Sequence, residues 1–179
     1  MDIAQLIQTL AATVVGGLIV IAANWISVQQ KRRNTIKKWY EKTYVTEGID
    51  PTVIYLYNLN IYFFNKDFGG FIRVRDIDAI PTEAIVKLQI LFDDPVVPHI
   101  IALAHALLPN QDKSLDKTTS AVLSTVIYIL LDFRKELLQT IATKVTSKHD
   151  VIDVSSVVEK LWKECHDKLA KLVGYEDIY

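Results

Sequence analysis

The stretch that decides the fold is "IAQLIQTLAATVVGGLIVIAANWISVQQKRRNTIKKWYEK", which runs from Ile3 to Lys42. Its first 28 residues, Ile3 to Gln30, carry no charge, and six cations then arrive within twelve residues. As a helix the uncharged run measures roughly 42 Å, against a hydrocarbon core of about 30 Å. Between Leu10 and Val28 only Thr13, Asn24 and Ser27 are polar. A core helix of a soluble protein rarely avoids charge for so long, because one face normally meets water. A secretory signal wants a cationic start, whereas the first cation here is Lys31. The expectation is a transmembrane helix over residues 1–30.

Lys31, Arg32, Arg33, Lys37, Lys38 and Lys42 follow the span, opposed only by Glu41. Cations this close to a span stay on the cytoplasmic side. The expected location is the cell (inner) membrane, single-pass, with the N-terminus outside and residues 31–179 inside. Trp25, Trp39 and Tyr40 suit an interface belt. The same basic belt, Lys31 to Lys38, is placed to meet anionic headgroups at roughly 1 kcal/mol per cation. Membrane lipids are therefore one expected partner.

The span has two unlike faces. Gln5, Gln8 or Thr9, Ala12, Gly16, Ala23 and Ser27 fall near one stripe, and Thr9, Thr13 and Gly17 continue it at intervals of four. Small residues let helix backbones approach, and polar ones hydrogen-bond across the contact. Thr9, Ala12, Thr13, Gly16, Gly17 and Asn24 are accordingly the candidates for an oligomer contact, or for lining a lumen if copies form a ring. A homo-oligomer is expected.

Beyond the span the charge changes sign. Residues 43–179 hold 14 Lys or Arg against 19 acids, so this part has no basic face for nucleic acid. The single cysteine, Cys165, excludes an internal disulfide. The pattern reads all-α throughout: a transmembrane helix, a basic juxtamembrane helix over 31–48, and a helical cytosolic domain over 49–179. Gly48 offers a C-cap, Asp50 an N-cap and Pro51 a first-turn residue. "PTVIYLYNLNIYFFNKDFGG" is apolar or aromatic on nearly every face and calls for cover all round. "FIRVRDIDAIP" reads as an irregular connection. Helices are expected from about Thr82 to Phe92, over "DDPVVPHIIALAHALLPN" between proline-marked breaks, and from about Ser114 to Lys148. In the last helix Ser156 and Glu159 have capping-box spacing, Gly174 marks the end, and Val154, Val158, Leu161, Cys165, Leu169 and Leu172 make one apolar stripe.

Signs of chemistry are few. There is no phosphate loop, zinc-protease pair or nucleophile elbow. His99 and His105 are six apart and do not share a helix face. Asp93-Asp94, just before Pro95, fits a helix cap better than a cation site. Arg73, Arg75, Asp76 and Asp78 form a charged knot that suits contact with a partner or an anionic ligand, and a solvated loop explains it as well. No cofactor, metal or catalytic residue is expected, and the reading is of a non-enzymatic protein.

An N-terminal membrane helix, a basic exit and a helical cytosolic domain together resemble the small membrane-anchored accessory and effector proteins of prokaryotic antiviral systems, above all the pore-forming accessory of type VI CRISPR systems. That resemblance implies oligomerisation and a pore or membrane effector. Ribonuclease-like domains in that setting carry Arg, four to six residues, then His; none of Arg32, Arg33, Arg73, Arg75 or Arg134 has a histidine so placed. Two alternatives remain: a membrane-tethered adaptor that binds a cytosolic protein, and a membrane-bound ligand sensor or enzyme with an unrecognised site.

Overall fold

The computed structural model describes residues 3–67, 80–108, 113–144 and 150–175. It is all-helical, with no strand among the described residues. In order come α1 (Ile3–Tyr40), a π-helical segment (Glu41–Ile49), α2 (Asp50–Asp67), α3 (Thr82–Phe92), α4 (Val96–Leu107), α5 (Lys113–Lys144) and α6 (Asp150–Val173). The chain divides into two units, Met1–Lys38 and Trp39–Tyr179. "FIRVRDIDAIP" up to Ala79, with its charged knot of Arg73, Arg75, Asp76 and Asp78, lies outside the described residues, as does His149.

The described residues of the first unit, 3–38, form a single helix. One helix among the described residues is long and apolar enough to cross a membrane, and it lies near the N-terminus.

The second unit is a helical bundle built on α5. That helix packs against both α2 and α6, which agrees with its expected central place. Its buried positions, Leu123, Val126, Ile127, Leu130, Phe133, Leu137 and Ile141, recur every three or four residues and so form one continuous face. On α6 the buried stripe is Val154, Val158, Trp162, Cys165 and Leu169. Leu161 and Leu172, expected on that stripe, sit at its margins, half-buried.

Two expected boundaries are corrected. Gly48 does not cap a helix. The backbone passes through it into α2, and the Asp50 N–H bonds to the Val45 carbonyl in an i→i+5 pattern. Tyr40, Val45 and Ile49, spaced by five and four, are all buried. An α-helix would scatter them around its circumference, whereas i→i+5 bonding, with about 4.4 residues per turn, keeps them on one face. Burial thus overrides the local stop signal. Ser156 does not open the last helix either. α6 begins six residues earlier, at Asp150, because fully buried Val154 already belongs to its core stripe. The expected end holds: Gly174 adopts φ +65° and the Tyr175 N–H bonds to the Ala170 carbonyl at 2.9 Å.

Side-chain couples set the register. Asp50 receives Arg134 Nε at 2.6 Å and Nη2 at 3.3 Å, which pulls the Arg134 pKa upward. Asn60 Nδ2 donates to Ser124 Oγ at 2.9 Å, and Ser120 Oγ donates to Asn60 Oδ1 at 2.6 Å. Lys87 bonds Glu47 and holds its carboxyl below the usual range. Tyr55 bonds His105, which accounts for that histidine as a packing residue. An aromatic series runs from Tyr40 stacked on Tyr44 (5.6 Å) to Phe92 (5.5 Å from Tyr44), and Phe92 in turn stacks on Trp162 at 4.0 Å.

Candidate functional site

Within the first unit, nine large apolar side chains between Val14 and Val28 are each 51–67% exposed. Burying a Val, Leu or Ile side chain gains about 1.5–3 kcal/mol. Leaving nine of them more than half bare therefore forgoes roughly 10 kcal/mol, as much as a whole domain's stability. Among the described residues this run is unburied.

Of the candidate contact residues, Thr13, Gly16, Gly17 and Asn24 are exposed. Thr9 and Ala12 lie on the helix, outside the residues whose side chains are described. At about 100° per residue, Gly16, Thr13, Asn24 and Gly17 share a face roughly 100° wide. Val20 falls inside the same face, so it is small and mixed rather than continuously polar. A Cβ added at Gly16 or Gly17 meets nothing within 4 Å, so the chain's own packing does not require glycine at either position. Such a face suits close approach of helices better than a wet lumen.

Lys31, Arg32 and Lys38 are exposed, and Arg33 and Lys37 are half-buried. Their angular positions on the helix spread around the axis, so the cations girdle it rather than marking one side. Thr35 Oγ1 donates to the Lys31 carbonyl at 2.9 Å within this girdle.

The second unit contains a polar centre that the sequence only half announced. α3 ends at Phe92, and Asp93 adopts left-handed φ 50°, ψ 44° with its N–H on the Gln89 carbonyl. That turn carries Asp94 inward, to 8% exposure. Its Oδ1 accepts from the Val96 N–H at 2.8 Å, at the start of α4, as expected of a cap. Its Oδ2 accepts from Trp162 Nε1 at 2.8 Å and pairs with His166 Nδ1 at 2.6 Å. Trp162 and His166 are four apart, so one face of α6 supplies both. His99, which follows Asp94 in sequence, packs instead on the Tyr175 ring at 4.9 Å.

The centre borders an open depression of about 520 Å³ lined by Phe92, Asp93, Glu159, Lys163, His166 and Asp167 among others. With Nδ1 donating to a carboxylate, His166 is held in one orientation, the base-and-orienter half of a nucleophilic site. The described lining supplies no hydroxyl or thiol to complete it. Cys165, adjacent in sequence, faces the core, and burial pushes its thiol up to about 12. Among the described residues no group of three His, Cys, Asp or Glu is placed to hold a metal ion. What the geometry does provide is a staple: one buried carboxylate fixes the α3–α4 corner to α6. Asp94 and His166 were visible as residues, but their pairing across 72 positions was not, and Trp162 was missed altogether. The one available signal was the i, i+4 spacing of two N–H donors on the buried stripe of α6.

No family model matches the chain, and neither a curated protein nor a solved structure matches it.

Proposed function

We propose that this chain is a single-pass membrane protein whose copies assemble around the N-terminal helix, with residues 31–179 in the cytoplasm. The observation that carries the reading is the run of bare apolar side chains from Val14 to Val28, for which a bilayer is the natural solvent. The cationic girdle from Lys31 to Lys38 supports the orientation, since it is the kind of segment that stays on the cytoplasmic side. The small face of Thr13, Gly16, Gly17 and Asn24 supports assembly. The protein acts through the membrane and through its own copies rather than by catalysis, as a membrane effector. Its link to antiviral defence rests on the resemblance of layout alone.

Fractionation and particle mass test this together. The chain resists alkaline extraction from membranes, a reporter after Tyr179 reads cytoplasmic, and the detergent particle contains several chains. Gly16→Leu with Gly17→Leu shrinks that particle without releasing the chain from the membrane, because neither site is crowded within one copy. A chain that extracts freely overturns the reading. A single-chain particle in membranes leaves a tethered adaptor in its place.

A further inference from the structure

α2 and α5 share a feature that neither helix shows alone. No charged residue occurs from Pro51 to Asn65, nor from Thr118 to Leu131. The Asn60–Ser124 and Asp50–Arg134 couples place these two runs side by side and antiparallel. One turn back from Asn60 is Tyr57, and one turn on from Ser124 is Tyr128, so both exposed rings lie along the α2–α5 seam. Ile54 and Leu131 follow one turn further along. Tyr57 is 54% exposed, Tyr128 71%, and Ile54, Phe64 and Leu131 are also exposed. Among the described residues, the buried side of α2 is formed by Tyr55, Leu56, Leu59 and Phe63.

We propose that this face docks a second copy of the same chain. Lys66 and Lys117 border the two runs, but neither run carries a charge of its own, so a charged partner face finds nothing to pair with inside them. A neutral, aromatic, hydroxyl-bearing surface is matched by itself, across a two-fold axis that brings Tyr128 and Tyr57 of one copy against those of the other. At on the order of 100 Å² from each half-bare side chain, the five offer about 500 Å² per copy. The pair then buries about 1,000 Å², the lower limit of a specific interface. Such a contact forms when tethering raises the local concentration, so the inference rests on the membrane-anchored reading.

The test uses the full chain in native membranes, with Cys165→Ala as background. Tyr128→Cys cross-links into a two-chain species, while Ile90→Cys, equally open but on α3, does not. Tyr128→Glu in the otherwise unchanged chain lowers the detergent particle mass at least twofold. Its melting temperature and membrane attachment stay as they were, because the side chain is outside the core. Absence of a Tyr128→Cys dimer, or an unchanged mass for Tyr128→Glu, overturns the proposal. So does cross-linking to a different protein, or loss of membrane attachment in Tyr128→Glu, which would assign the face to that protein or to lipid. If the anchor reading alone fails, the chain leaves the membrane fraction, and the cross-link is then sought at raised protein concentration, where a two-chain species supports the face and a single chain overturns it.

Discussion

Leu88 stands where a side chain on Gly48 would go: a Cβ built there lies 2.8 Å from Leu88 Cδ2 and 3.4 Å from Cγ. Gly48 is buried and helical, and its role is to let α3 approach the π-helical segment. Just beyond it, Pro51 follows the point where bonding changes from i→i+5 to i→i+4. A missing N–H is tolerated there more readily than in an unbroken α-helix.

Gly48→Ala sets two effects against each other. Helix propensity gains at most about 1 kcal/mol. Overpacking against Leu88, a buried side chain whose Cδ2 would have to shift, costs about 1–3 kcal/mol. The net expectation is a loss near 1 kcal/mol and a melting temperature lower by several degrees. Leu88→Ala in the Gly48→Ala chain should recover part of that loss relative to simple addition. A more stable Gly48→Ala would mean the glycine is there for flexibility rather than for close approach.

The Asp94 staple yields a graded series. Asp94→Ala strands the Trp162, His166 and Val96 donors together and should cost about 3 kcal/mol in denaturant unfolding. Asp94→Asn keeps one acceptor oxygen and should cost less. Trp162→Phe retains the ring stacked on Phe92 and loses only the N–H, for about 1 kcal/mol. Equal losses for all three would show that packing, not the carboxylate, holds the corner.

How much of this was legible follows from the range of each signal. Breaks marked by Pro95 and Gly174 were readable because a φ constraint acts on its own residue. The uncharged run was readable because solvent choice depends on composition over many residues. Gly48 and Ser156 misled because burial of Val45, Ile49 and Val154 outweighs a cap worth about 1 kcal/mol. The Asp94–Trp162–His166 centre was out of reach, since nothing local says that residues 68 and 72 positions away return to one carboxylate. The α2–α5 face was half legible: both neutral runs could be seen, but not that they lie together.

Cys165 gives a pH prediction. Its folded thiol is raised to about 12, chiefly by burial, from an ordinary value of 9.0. Between those values the unfolded chain loses this proton and the folded chain keeps it, so stability falls as pH rises. Below pH 9 the thiol is neutral in both states and the contribution is flat. A Cys165→Ala chain should therefore lose less stability than the parent between pH 9 and 11, whatever its starting value. Alkylation should also be slow in the folded chain and fast in denaturant; rapid alkylation without denaturant would contradict the burial.

The central claim is that the bare apolar helix lies in lipid. With Cys165→Ala as background, a spin label is placed at Ile19→Cys, outside the small face of α1, and in a second chain at the exposed Lys135→Cys of α5. In reconstituted bilayers the label at position 19 should collide with dissolved oxygen and be shielded from an aqueous nickel complex, with the reverse preference at position 135. Equal access of the nickel complex to both positions would mean that residues 13–28 are covered by something other than a membrane.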